Sequence, residues 1–346
     1  MKNNIRILIF FLLVFSFTSK AQTTFKIEKF SNLILATVTI ADESINEVFK
    51  QGTIQVFDSK TKKEIINIES PELTFDLNSK NNIKTNVKQL PYGEQSILIY
   101  EDFNFDGNQD LAVMFGQESC YHGPSYSIYL FDKGKFVYDD AFSALATENC
   151  GMFQVNAKLK QLNTFTKSGC CWHLDTTYKI VNNNPIVIKT IEMNHQKYPF
   201  LYTTTTTFGK KKVAIIKKEI VFDQMAVKEL FSFRLLKNNK KVVLFDDGEN
   251  NLYYALIRVN DSVEFNYPDD DKTENQTFII DSISKNISFM NENTTYKIYL
   301  ETTQNKTVSV GIIITNENES SNLVGDKSTI KGDFKSIIDN KYNNVQ

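Results

Sequence analysis

The stretch Glu101-Asp102-Phe103-Asn104-Phe105-Asp106-Gly107-Asn108-Gln109-Asp110 decides how the surrounding chain folds. Oxygen-bearing side chains alternate along it, and a further aspartate closes it. Ca²⁺ takes roughly six to eight oxygen ligands, which an alternating loop can point at one spot. Gly107 stands where a calcium loop of the EF-hand type makes its sharp bend. The pattern therefore predicts a Ca²⁺ site whose ligands are Asp102, Asn104, Asp106, the backbone carbonyl of Asn108, and Asp110.

The flanks of this loop are those of strands and not of helices. Residues 95–100 and 111–115 are rich in aliphatic and aromatic side chains and lack helical periodicity. The twelfth loop position, a bidentate glutamate in an EF-hand, is Val113 here. We therefore predict a calcium loop that joins two strands. The alternative is a solvated Asp/Asn/Gly turn that binds no metal.

Short β-branched and aromatic segments, separated by polar turns about ten residues apart, run through the rest of the chain and predict an all-β protein. At 346 residues there is room for two domains. We expect a calcium-loop-bearing partial β-propeller domain over residues 22–222. A smaller β-sandwich or barrel domain is expected over residues 223–346.

The first 21 residues have the pattern of a cleavable signal peptide. Lys2 and Arg6 precede the apolar run Ile7–Phe17, and Ser19-Lys20-Ala21 supplies the small residues of a cleavage site. The apolar run is too short to span a bilayer. We expect cleavage after Ala21 and a periplasmic or secreted protein without a membrane span. A net charge of −2 gives no reason to expect nucleic-acid binding.

Export favours disulfides among the four cysteines of the chain. If consecutive strands run up and down, all four cysteines reach the end of the domain opposite the calcium loop. A bond between the adjacent Cys170 and Cys171 is sterically unattractive. We therefore expect two bridges that link Cys120 and Cys150 to Cys170 and Cys171, with the pairing left open.

The same end of the domain collects aromatic and polar side chains that suit partner binding. Disulfide-held loops carrying Trp and Tyr lose little entropy on docking. The expected partner-binding residues are Tyr121, His122, Ser168, Gly169, Trp172 and His173.

Two enzymatic or metal alternatives use the same end of the domain. Cys120-x-His122 with Cys171-x-His173 could hold zinc, although the spacings are shorter than those of zinc fingers. A hydrolase could use Cys120 or Ser125 with a histidine, but no nucleophile motif is present. Acidic turns at Asp246-Asp247 and Asp269–Asp271 leave a glycan hydrolase or lyase open.

Residues 99–180 resemble a family of exported, calcium-loop-bearing partial β-propellers that includes an immunity protein against a lysozyme-like effector. The resemblance lies in Asp102–Leu111, Ser125–Phe131, Phe136, Ser168–His173 and Tyr178. It implies a loop similar to those by which periplasmic inhibitors plug the cleft of a lysozyme. Ser168 and Gly169 match that loop, and Trp172 or His173 stands where the family has its aromatic residue. The expected function is thus a non-enzymatic binding protein, an inhibitor or immunity factor against a cell-wall hydrolase. A cell-envelope interaction module of unknown ligand is the third possibility.

Overall fold

The computed structural model describes residues 21–88, 94–197, 199–209, 214–222, 227–268, 276–303 and 306–346. The expected signal peptide therefore lies almost entirely outside the described residues. Strands make up 61% of the structure and helices 6%, so the prediction of an all-β protein is confirmed. Within the described residues no helix has the length and apolarity needed to span a membrane.

The chain divides into two compact units, which are described separately. Unit 1 comprises the described residues up to Thr166 together with Asp175–Ile188. Unit 2 comprises Lys167–Leu174 and Lys189–Gln346. The expected domain boundary between residues 222 and 223 remains a prediction, and residues 223–226 lie outside the described part of the chain.

Unit 1 contains two antiparallel four-stranded meanders, each with its strands in sequence order. The first is formed by β1 (Gln22–Lys26), β2 (Ile34–Ala41), β3 (Lys50–Asp58) and β4 (Glu64–Leu73). The second is formed by β5 (Leu98–Glu101), β6 (Asp110–Ser119), β7 (Gly123–Asp132) and β8 (Lys135–Tyr138). Every second side chain along β2 is buried and those between are more accessible, as in a strand with one face on the core. The first five residues of β6 are all buried, which marks it as a central strand.

A short helix and further strands follow the second meander. Helix α1 (Asp140–Leu145) begins after Asp139, whose side chain accepts a hydrogen bond from the amide of Phe142 as an N-cap. The next strands are β9 (Gln154–Asn156), β10 (Gln161–Ser168), β11 (Trp172–Val181) and β12 (Asn184–Lys197). The residues of β10, β11 and β12 are divided between the two units. One hydrophobic core, which includes Phe103, Tyr126 and Phe153, runs through unit 1.

Unit 2 is built on a curled nine-stranded sheet. Its first strands are β15 (Lys228–Leu235), β16 (Lys241–Asp246), β17 (Leu252–Ile257) and β18 (Val263–Tyr267). The others are β19 (Phe278–Asp281), β20 (Asn286–Asn291), β21 (Thr294–Thr303), β22 (Lys306–Thr315) and β23 (Ser320–Gly332). The strand order in the sheet is β18-β17-β16-β15-β23-β22-β21-β20-β19. Helix α2 (Phe334–Asp339) packs against this sheet through Phe334, whose ring lies 4.9 Å from that of Phe231.

Unit 2 also contains strands β13 (Phe200–Phe208) and β14 (Ala214–Phe222), which pair antiparallel. The threonine run Thr203–Thr207 lies in β13, as its β-branched composition favours. A small core around Phe200, Phe222 and Phe245 joins this hairpin to β16.

Candidate calcium loop and partner-binding turns

The predicted calcium loop is the connection between β5 and β6, which pair antiparallel with Glu101 opposite Asp110. The prediction that the loop joins two strands is therefore confirmed. Phe103 anchors the loop in the core of unit 1, where its ring meets Phe153 edge-on at 5.3 Å. Phe105 and Gly107 have φ of 63° and 95°, so the loop makes two left-handed bends.

Three of the expected ligand side chains converge within the loop. The amide of Asp106 lies 3.2 Å from Oδ1 of Asp102 and 3.1 Å from Oδ1 of Asn104. The Nδ2 group of Asn104 donates to Oδ2 of Asp106 at 3.1 Å. Oδ2 of Asp102 accepts the amide of Gly107 at 3.0 Å. Asx-type hydrogen bonds thus hold the turn and bring oxygens from three residues together.

The fourth expected side-chain ligand, Asp110, is fully buried and anchors two other segments. Its Oδ2 accepts the amide of Phe103 and its Oδ1 accepts the amide of Phe131, both at 2.8 Å. Burial raises the pKa of Asp110 to about 6, and the charges of Asp102 and Asp106 add to the rise, although the two amides oppose it. A cation bound at the loop would offset the repulsion between the carboxylate of Asp110 and those of Asp102 and Asp106.

The loop borders a surface hollow of about 420 Å³ that Asp102, Asp106 and Lys160 also line. A carboxylate has about four acceptor positions, so the oxygens that accept loop amides retain sites for a cation. The donor set, three carboxylates and one amide oxygen, is that of a hard cation. The loop residues therefore fit Ca²⁺. In the described part of the chain, no three His, Cys, Asp or Glu side chains are already gathered into a metal cluster.

The expected disulfide connectivity is wrong. Cys120 bonds to Cys150, and Cys170 bonds to its neighbour Cys171. The first pair forms because the amide of Cys120 donates to the carbonyl of Asn149, which brings the two Cα atoms to 4.8 Å. The second pair closes across a single peptide at the end of the β10–β11 hairpin, with the Cα atoms 3.7 Å apart. Each cysteine thus forms its disulfide with a partner that the local chain geometry brings close, and the two disulfides are independent of each other.

The expected partner-binding residues are divided between the two units. Tyr121 and His122 are exposed in unit 1, in a 3₁₀ turn directly after Cys120. Both have left-handed backbone angles, with φ of 53° and 58°. Such angles are costly for non-glycine residues, and the Cys120–Cys150 bond helps to hold them.

The other expected partner-binding residues lie in unit 2, at the tip between β10 and β11. Ser168 and Gly169 are exposed, and Gly169 adopts φ of 64° at the turn. Trp172 is half-buried and donates from Nε1 to Oε1 of Glu192 at 2.7 Å. His173 lies edge-on to His195, with 5.4 Å between the ring centroids. The tip is thus a disulfide-closed turn with a braced aromatic ring.

Sequence reasoning missed Glu192 and His195 as neighbours of this tip. They lie in β12, and the amide of His195 donates to the carbonyl of Cys171 at 2.7 Å. No local sequence signal marks this pairing, because about twenty residues separate the two strand positions.

The structure shows the surroundings of the residues considered for the alternative chemistries. All four cysteines are in disulfides, so none supplies a thiolate as zinc ligand or nucleophile. Ser125 is buried, and its Oγ accepts the amide of Glu118. Asp246 and Asp247 accept backbone amides of their own turn. Residues 269–271 lie outside the described residues.

Comparisons with known proteins give no family. No family model matches the chain, and no curated protein matches it. A solved structure of a Xanthomonas Type IV secretion system related protein is similar at 21% identity and a TM-score of 0.45, over 58% of this chain and 94% of that one. A prolyl endopeptidase is similar at 7% identity and a TM-score of 0.27, over 90% of this chain and 43% of that one. Similarity at these levels supports no functional inference.

Proposed function

We propose that the protein is an exported, calcium-stabilised binding protein without catalytic activity. Its expected partner is a peptidoglycan hydrolase of the lysozyme-like class, which it would inhibit. The observation that carries the proposal is the tip of the β10–β11 hairpin. There a bond between adjacent cysteines closes the turn beside Ser168 and Gly169, and Glu192 braces the ring of Trp172.

The physical case for binding at this tip is pre-organisation. The peptide between Cys170 and Cys171 lies within a small disulfide ring, so few backbone conformations remain to be lost on docking. The indole of Trp172 is held in place, and aromatic side chains of this kind contribute strongly to protein interfaces. A rigid exposed turn with an aromatic ring at its base suits insertion into the cleft of a partner.

In this proposal the calcium ion is structural. Asp102, Asn104, Asp106 and Asp110 would supply side-chain oxygens, and Asn108 its backbone carbonyl. Bound calcium would neutralise part of the negative charge of Asp102, Asp106 and Asp110. The two four-stranded meanders of unit 1 have the strand order of propeller blades, which supports a partial propeller for residues 22–222. A sandwich or barrel for residues 223–346 is supported by the curled sheet of unit 2.

Export to the periplasm or outside the cell is part of the same proposal. Two disulfides and no free cysteine among the described residues are compatible with an oxidising compartment. The mature protein would begin at Gln22.

The proposal is tested by measuring inhibition of peptidoglycan lysis by a panel of lysozyme-like hydrolases of different structural classes. We expect the mature protein to inhibit at least one of them and the Trp172→Ala variant to lose about tenfold or more in affinity, as for an aromatic hot spot. Ile283→Ala, which truncates a side chain 93% exposed in unit 2, is the matched control. Equal inhibition by both variants would refute the role of the tip. Absence of binding to every hydrolase would refute the proposed partner.

A further inference from the structure

A second surface, in unit 1, has the chemistry of a binding site and belongs to neither the calcium loop nor the hairpin tip. It is a groove of about 510 Å³ beside residues 115–118 of β6, lined by Phe49, Glu72, Phe115, Glu118 and His122 among others. We refer to it as the Phe115 groove. Its volume lies in the range of ordinary ligand sites.

The charged groups that line the groove are both carboxylates. A methyl group built on Gly116 would lie 3.6 Å from Oε2 of Glu72 and 3.8 Å from Cγ of Glu118. Glu72 of β4 and Glu118 of β6 therefore both lie close to Gly116. Both residues are exposed. No lysine or arginine is among the residues of the described chain that line this groove.

Aromatic rings lie beside these carboxylates. Phe49 is 53% exposed and Phe115 is 38% exposed, so both rings offer apolar surface to a ligand in the groove. The groove thus presents two apolar ring surfaces and two negative charges within one concavity.

The walls of the groove are fixed before any ligand arrives. The hydroxyl of Ser70 donates to the carbonyl of Phe115, and the amide of Glu118 donates to Oγ of Ser125. The Cys120–Cys150 bond holds the 3₁₀ turn that carries His122. Pairing of β5 with β6 ends at Val113, so the β5 side of residues 115–118 is not covered by that strand.

We propose that the Phe115 groove binds an arginine side chain presented by an extended segment of a partner protein. A guanidinium group pairs with carboxylates through directed hydrogen bonds and stacks on aromatic rings, and the groove offers both. Lysine would satisfy the charge but not the planar stacking, so arginine is the better match. This inference rests on unit 1 alone and holds whether or not the hairpin tip binds a hydrolase.

The test uses the mature protein and three synthetic peptides that differ at one position. They are acetyl-Gly-Leu-Arg-Leu-Gly-amide and its lysine and citrulline counterparts, citrulline having nearly the shape of arginine without its charge. Binding is followed by NMR through the backbone amides of residues 115–118. We expect the arginine peptide to saturate and the citrulline peptide to bind about tenfold more weakly. The lysine peptide should fall between the two.

The test variant is the double substitution Glu72→Gln and Glu118→Gln. The control is Glu317→Gln, which changes an exposed glutamate of unit 2. The double variant should lose about tenfold in affinity for the arginine peptide and none for the citrulline peptide. Equal binding of the two peptides, or no saturation by the arginine peptide, would overturn the inference. Tighter binding of an N-acetylglucosamine trimer at the same amides would assign the groove to a glycan instead. A dimer that dissociates in the double variant would assign it to a second copy of the chain.

Discussion

The carboxylate of Asp110 accepts a hydrogen bond from the backbone amide of Phe131, 21 residues further along the chain, at 2.8 Å. Its other oxygen accepts the amide of Phe103 at the same distance. One buried side chain therefore ties the start of the candidate calcium loop to the end of β7. Asp110 has a structural role of its own, apart from any role as a metal ligand.

Replacement of Asp110 by alanine should destabilise the protein in the presence of EDTA. The amides of Phe103 and Phe131 would lose their acceptors, and an unsatisfied buried amide costs about 1–3 kcal/mol. Relief of repulsion from Asp102 and Asp106 offsets part of this cost. We expect a net loss of about 2 kcal/mol in urea unfolding at pH 7, against little change for Asp132→Asn at the exposed end of β7. An unchanged midpoint for Asp110→Ala would contradict the anchoring role.

The stability contributed by Asp110 should fall as pH rises in calcium-free solution. Its pKa in the folded protein is about 6, above the ordinary value of 3.8, so the folded state holds the proton more tightly than the unfolded state. This proton-linked part of the stabilisation is fully present below about pH 4 and is lost as pH rises through 6, whereas the hydrogen bonds from the two amides remain at pH 7. The difference in pKa corresponds to about 3 kcal/mol.

This pH effect is isolated by comparison with Asp110→Asn, which carries no proton to lose. The free energy of unfolding of the wild type, relative to that variant, should decline between pH 4 and pH 7. A constant difference across this range would show that the carboxylate titrates normally.

Calcium should raise the thermal midpoint of the wild-type protein. A ligand that binds only the folded state at one hundred times its dissociation constant stabilises it by about 2.7 kcal/mol. Replacing Asp102 and Asp106 together by asparagine should abolish the rise, because two of the three converging oxygen donors lose their charge. Asp132→Asn should retain it. Calcium titration by calorimetry gives an independent readout, and an equal response of both variants would place the ion elsewhere.

The two disulfides should differ in their effect on stability. The Cys120–Cys150 bond closes a loop with a sequence separation of 30, which in the chain-entropy account contributes about 3–4 kcal/mol. The Cys170–Cys171 bond closes almost no loop, because its cysteines are adjacent. Double alanine variants of each pair, compared by urea unfolding, should show a large loss for the first and less than about 0.5 kcal/mol for the second. The reverse order would contradict the assigned pairing.

Gly332 and Gly248 provide a matched test of backbone packing in unit 2. Both have positive φ, 81° and 89°, so alanine at either site costs about 1–2 kcal/mol from conformation alone. A methyl group on Gly332 would also overlap the carbonyl of Leu230, whereas one on Gly248 would meet no atom within 4 Å. Gly332→Ala should therefore lose more than about 3 kcal/mol in thermal or urea unfolding, and Gly248→Ala only the conformational cost. Equal losses would mean that the backbone at the C-terminal end of β23 shifts to accommodate the added methyl group.

The sequence by itself determined the features that depend on neighbours along the chain. Short β-branched and aromatic segments between polar turns are local patterns, and they led directly to the all-β class. The loop after Glu101 was recognisable because its turn-forming and oxygen-bearing residues are consecutive. Its connection of two strands followed from the apolar segments on each side.

Only the tertiary structure decided the contacts between distant segments. Cys120 bonds to Cys150 because a hydrogen bond between their loops brings the two residues close. No rule of sequence spacing selects this pair over the other possible pairs of cysteines. Glu192 lies within hydrogen-bond distance of Trp172, and Glu72 lies close to Gly116 of β6, through strand placements that local periodicity does not encode. Periodicity states which face of a strand is buried, but partner choice depends on the free energy of the whole packed sheet.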